Sequence, residues 1–69
     1  MKYYYEVLWY NGNTEEEALH KGDYDTKTFA SKQSALNYYE KHKNDANKFG
    51  WWVTKRYTDD GTVADDIIY

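Results

Sequence analysis

The C-terminal part of the chain restricts the fold most, because two apolar runs there flank a turn sequence. Residues 51–57 and 63–69 are rich in aromatic and β-branched side chains, and Thr58-Asp59-Asp60-Gly61-Thr62 lies between them. Asp-Gly between such runs is typical of a two-residue hairpin turn. The sequence therefore predicts an antiparallel hairpin at this end of the chain.

A two-residue loop at Asp60-Gly61 would also fix the register of this hairpin. It would place Arg56 opposite Asp65 and Lys55 opposite Asp66, and opposite charges stabilise neighbouring strands. The same register joins Tyr57 to Ala64 and Val53 to Ile68. The charge pattern and the turn thus favour one alignment.

A further strand is predicted over residues 3–10, which end at the turn signal Asn11-Gly12-Asn13. An Asn-Gly turn after a strand favours chain reversal, so a second strand is expected within residues 16–28, with Tyr24, Thr26 and Thr28 on one side and Gly22 at a bulge. A two-turn helix is the alternative. It is indicated by the capping box that Thr14 begins and by Gly22 after Lys21.

Residues 31–43 predict one helix, with Ser31 as N-cap and no helix breaker inside. Its apolar stripe contains Ala35, Leu36 and Tyr39. The expected fold is therefore α+β: one domain, residues 1–69, with a four-stranded antiparallel sheet and one helix packed on one face (ββαββ). Its core is expected to contain Val7, Trp9, Val53 and Ile68.

One helix covers only one face of such a sheet, yet apolar residues occur on both faces of the predicted strands. The second face is expected to carry a patch of the composition typical of binding surfaces: Tyr4, Leu8, Tyr10, Trp52, Ile67 and Tyr69. The alternative is that Tyr stands there as an ordinary strand residue or that residues 44–50 cover this face.

Motifs for catalysis or metal binding are not found. The chain has no Cys and two His, His20 and His42, without the spacing of a zinc site. Ser31 and Ser34 fit helix capping, and Asp23 with Asp25 lacks the further ligands of a calcium loop. In 69 residues a deep cleft cannot be built above a core. We expect no enzyme and no cofactor.

Charge and hydropathy indicate the kind of partner. The net charge is −3 and the pI about 5.2, which disfavours general phosphate binding. No apolar run has the length of a signal peptide or a membrane span, so a cytoplasmic protein is expected.

Another protein, or a second copy in a homodimer, is the expected partner. The alternatives are a structural homo-oligomer subunit and a sheet that stacks single-stranded nucleic acid on Trp52 and Tyr69, with Lys55 and Arg56 holding phosphate.

A short chain rich in Tyr, Lys and Asn, without Pro or Cys, resembles the small accessory proteins of phages and mobile elements. That resemblance implies a protein that binds and blocks a host protein, such as a defence nuclease. Carboxylates can imitate the phosphates of nucleic acid in a basic channel. The residues expected to do so are Asp59, Asp60, Asp65 and Asp66.

Overall fold

The computed structural model describes residues 2–69, which form four strands and two helices in the order βαβαββ. The elements are β1 (Tyr3–Asn11), α1 (Glu15–Lys21), β2 (Tyr24–Phe29), α2 (Lys32–His42), β3 (Lys48–Tyr57) and β4 (Val63–Ile68). Within residues 2–69, neither helix is long and apolar enough to cross a lipid bilayer.

The four strands form one antiparallel sheet in the order β2-β1-β3-β4. β1 therefore lies in the interior of the sheet, between β2 and β3. The chain passes from β2 to β3 through α2, which packs across one face. The α+β class and the four-stranded antiparallel sheet agree with the expectation, but the expected single helix and the expected element order are wrong.

The expected ββαββ order is wrong because residues 15–21 form a helix. Thr14 is its N-cap and accepts a hydrogen bond from the Glu17 N–H at 3.1 Å. Gly22 ends it in the left-handed conformation, φ +71°, and donates to the Ala18 carbonyl. Gly22 is thus a helix cap and not a strand bulge. Caps at both ends stabilise so short a helix, and the second strand begins only at Tyr24.

The hairpin of β3 and β4 is confirmed, but its turn and most of its register differ from the prediction. A loop from Thr58 to Thr62 replaces the two-residue turn. Two bulges insert an extra residue each into β4, which shifts the alignment. The observed partners are Val53 with Ile68, Thr54 with Asp66, Lys55 with Asp65 and Arg56 with Val63. Only the pair of Val53 and Ile68 is confirmed; the pairs Arg56–Asp65, Lys55–Asp66 and Tyr57–Ala64 are wrong.

The hydrophobic core lies between the sheet and α2. Val7, Val53 and Ala35 are fully buried and Trp9 is 7% exposed, with Ile68 packed against them. The expected core is therefore confirmed. Aromatic rings fill the rest of this layer. The Trp9 ring lies 5.3 Å from that of Trp51 and 5.7 Å from that of Tyr38.

Side chains along a strand alternate between the faces of a sheet, so the register assigns every strand residue to one side. We call the side opposite α2 the open face. It carries Tyr4, Glu6, Leu8, Tyr10, Tyr24, Thr26, Thr28, Phe49, Trp52, Thr54, Arg56, Val63 and Asp66. α1 lies at one end of the sheet, where Leu19 is close to Tyr10 and Gly50.

Candidate functional site

The centre of the open face is built around the Arg56 guanidinium. Its Nε lies 3.5 Å from a Glu6 carboxylate oxygen and donates to the Thr54 hydroxyl at 3.1 Å. Its Nη1 donates to the Gly61 carbonyl at 2.7 Å. Arg56 and Glu6 keep 18% of their side-chain surface exposed, and Thr54 beneath them is 1% exposed. The guanidinium is therefore fixed from three directions.

Trp52 completes this centre. The Arg56 guanidinium carbon lies 5.5 Å from the Trp52 ring, within cation–π distance. The Trp52 indole N–H donates to the Asp66 carboxylate at 2.8 Å, across from β3 to β4. One face of the indole and its N–H edge are thus each oriented by a charged neighbour. Arg, Trp and Tyr are the residue types that dominate binding energy in protein interfaces.

Further aromatic and aliphatic side chains frame this centre along β1. Tyr4, Leu8 and Tyr10 are half-buried, and the Tyr4 hydroxyl lies beside Gly61 in the turn. Tyr10 packs edge-on against Tyr24 at a centroid distance of 5.9 Å. Three of the six predicted patch residues are thus joined to Trp52 on one continuous face.

The other two predicted patch residues lie elsewhere. Ile67 packs against the core because it is the extra residue of a β4 bulge. Tyr69 follows the end of β4 with 98% of its surface exposed. It borders an open groove of about 940 Å³, lined also by Leu19, Trp51, Trp52 and Ile68. The groove continues the open face around the end of β4.

The four predicted acidic residues do not share one surface. Asp65 lies on the α2 side opposite Lys55, and Asp66 lies on the open face opposite Thr54. The Asp60 carboxylate bonds to Thr62 inside the turn. Lys55 likewise lies on the α2 side, with its Nζ 4.1 Å from the Tyr3 ring. Lys55 and Arg56 therefore cannot grip one phosphate backbone together.

The partner of Arg56 differs from the predicted one. The predicted hairpin register places Asp65 opposite Arg56, whereas the guanidinium pairs with Glu6 in the structure. The available signal was Glu6 itself, a single carboxylate among the aromatic residues of the first strand. Glu6 predicts the partner of Arg56 only when β1 and β3 are known to be neighbouring strands.

Asp60 makes the stability of the turn dependent on pH. The backbone N–H and the hydroxyl of Thr62 hold its pKa below the ordinary value. A lowered folded-state pKa stabilises the fold above the unfolded-state pKa, about 3.9, and this contribution is lost as pH falls through the folded-state value. We expect the urea midpoint to fall between about pH 5 and about pH 2, and to fall less in Asp60→Asn. Asp59→Asn is the matched control, and an equal change in both variants would contradict this role.

A second such carboxylate follows α2. The side chain of His42, 2.8 Å away, and then that of Lys48 hold the pKa of Asp45 below its ordinary value. Asp45 thus ties the end of α2 to the start of β3.

Among residues 2–69, no three His, Cys, Asp or Glu side chains are grouped to hold a metal ion.

No protein-family model, curated protein or solved structure matches the chain. The geometry of the open face is therefore the basis for assigning a function.

Proposed function

We propose that the protein is a small non-enzymatic module that binds another protein through the open face. The observation that carries this proposal is the Arg56 and Trp52 pair, framed by Tyr4, Leu8 and Tyr10 on the side of the sheet opposite α2. These side chains are half-buried and present both apolar surface and polar edges. Such surfaces suit a protein partner.

Rigidity supports the same conclusion. Arg and Trp lose side-chain entropy when a partner immobilises them, which weakens binding. Here the ion pair with Glu6 and the hydrogen bonds to Thr54, Gly61 and Asp66 already hold both side chains in place. The two side chains therefore lose their conformational entropy when the protein folds, and they lose little more when a partner binds. Because Glu6 neutralises Arg56, the partner surface needs no strong negative charge.

Two neighbouring tyrosines allow a matched experiment. Tyr4 lies on the open face, whereas Tyr3 lies on the α2 side, packed on Tyr57 at a centroid distance of 5.3 Å. We expect Tyr4→Ala and Trp52→Ala to weaken partner binding by about 2 kcal/mol or more, and Tyr3→Ala to leave it unchanged. Affinity capture from the native cell extract identifies the partner, and titration calorimetry with that purified protein gives the affinities.

Circular dichroism of each variant controls for folding. Equal affinities of Tyr3→Ala and Tyr4→Ala, both folded, would exclude the open face as the binding surface. Titration with a single-stranded oligonucleotide at low salt distinguishes the other class of partner. Salt-sensitive quenching of Trp fluorescence there would contradict the proposal and favour nucleic acid.

A further inference from the structure

The sheet has two outer edges, and they differ in regularity. The β4 edge is interrupted by two bulges, which are a common protection against strand pairing. β2 pairs with β1 without any shift from Tyr5 opposite Phe29 to Tyr10 opposite Tyr24. Residues 24–28 of this strand are exposed, and β2 contains neither Pro nor Gly. The β2 edge is therefore a regular template for another strand.

One hydrogen bond shows which backbone groups of β2 face outward. The Asn11 N–H donates to the Asp23 carbonyl at 2.7 Å, and these residues continue the β1 and β2 register as direct partners. Hydrogen-bonded and non-hydrogen-bonded pairs alternate along an antiparallel ladder. Asp25 and Lys27 therefore direct their backbone groups toward β1. The N–H and C=O groups of Tyr24, Thr26 and Thr28 point to the free edge.

We propose that two copies of the chain associate through β2, antiparallel, about a two-fold axis at Thr26. Thr26 of each copy faces Thr26 of the other, and Tyr24 faces Thr28 of the second copy. All three outward residues then lie in hydrogen-bonded pairs, which supplies about six inter-strand bonds. The two four-stranded sheets become one continuous sheet.

Charge complementarity selects this register. With the axis at Thr26, Asp25 lies opposite Lys27 of the second copy, and the symmetry repeats the pair. Both are non-hydrogen-bonded pairs, in which opposing side chains lie closest. Moving the axis by one residue would place Asp25 opposite Asp25, or Lys27 opposite Lys27, of the second copy, and moving it to Tyr24 would place Asp23 opposite Asp25. A register shifted by an odd number of residues would turn the outward backbone groups away from their partners.

The two side chains are placed to make these pairs. Asp25 and Lys27 lie on the α2 side, opposite Trp9 and Val7. The Lys27 Nζ lies 5.0 Å from the Tyr38 ring, and the Asp25 carboxylate accepts from the Asn11 amide at 2.9 Å. Both charges thus lie one residue from the proposed axis, and each turns from its contact within the chain toward the second copy when the dimer forms. Paired strands of six residues bury less area than a standard interface, so we expect a Kd on the order of 0.1 mM.

Exchange of the two charges tests the seam. Analytical ultracentrifugation up to about 1 mM should show a monomer–dimer equilibrium for the wild type. Asp25→Lys and Lys27→Asp should each weaken dimerisation by about tenfold or more, because like charges then face each other. The double variant Asp25→Lys with Lys27→Asp should restore it. The double variant, like Asp25→Lys alone, has lost the hydrogen bond between Asn11 and Asp25. If the loss of that bond were what weakens dimerisation, the double variant would dimerise as weakly as Asp25→Lys.

A backbone test is independent of these charges. Thr26→Pro removes an N–H that faces outward and leaves the pairing with β1 intact, so we expect a folded monomer. Thr26→Val keeps the N–H and should still dimerise. Hydrogen exchange of the Tyr24, Thr26 and Thr28 amides should slow as concentration rises.

The results that would overturn the proposal are distinct from those of the binding experiment on the open face. A wild type that stays monomeric at about 1 mM excludes the dimer. A dimer that is insensitive both to charge exchange and to Thr26→Pro forms elsewhere, and excludes this seam. Neither result depends on whether Trp52 binds a protein.

Discussion

Replacing Trp9 by Ala should leave the chain largely unfolded at room temperature. Trp9 is 7% exposed and packs between Trp51 and Tyr38. Removing a buried Trp costs about 3–5 kcal/mol, and the core of a domain of this size supplies no more than about 3–5 kcal/mol. Far-UV circular dichroism and urea denaturation measure the loss.

Trp52→Ala is the matched control, because it removes the same side chain from the open face. Its cost is the stacking on Arg56 and the hydrogen bond to Asp66, about 1–2 kcal/mol together. A Trp9→Ala variant as stable as Trp52→Ala would contradict the placement of the core between α2 and the sheet.

Replacing Gly12 by Ala should have the second largest effect on stability. A Cβ at this position would lie 2.8 Å from both the Cα and the N of Ala18. These are backbone atoms, so no side-chain rotation relieves the contact. α1 must move away from β1, and overpacking of this kind costs about 1–3 kcal/mol. The urea midpoint gives the cost.

Gly22→Ala is the control for Gly12→Ala. Gly22 has φ +71°, yet no atom lies within 4 Å of an added Cβ. Its cost is therefore conformational, about 1 kcal/mol. NMR shifts over residues 15–21 should change throughout α1 in Gly12→Ala and only at its end in Gly22→Ala. Shift changes throughout α1 in Gly22→Ala, with changes only at its end in Gly12→Ala, would show that α1 does not pack against Gly12.

The parts of the fold that the sequence predicts are those with local signals. Ser31 caps α2 as expected and accepts from the Ser34 N–H. The first strand and the C-terminal hairpin also follow from local patterns. α1 is only the alternative in the sequence analysis because its capping signals compete with the Asn-Gly turn signal and the period-two pattern of Tyr24, Thr26 and Thr28. Its decisive contact, Ala18 on Gly12, is tertiary.

The register and the centre of the open face depend on contacts between distant strands. The β4 bulge that displaces Ile67 toward the core has no turn or composition signal in the sequence. The pair of Glu6 and Arg56 exists only because β1 lies beside β3, and strand order is not encoded in local periodicity. Tyr4, Leu8, Tyr10 and Trp52 could be assigned to one face because alternation within a strand is local.

The interior position of β1 also sets the order of events during synthesis. The ribosome makes β1 well before its partner β3, which ends at Tyr57, the residue that pairs with Tyr3. Until that segment leaves the exit tunnel, the nascent chain holds a β1 edge without a neighbour and a core without Val53. Contacts so distant in sequence also slow folding. The domain therefore completes its fold only after β3 has left the tunnel, and nascent chains stalled before β3 should expose the aromatic residues of β1 to chaperones.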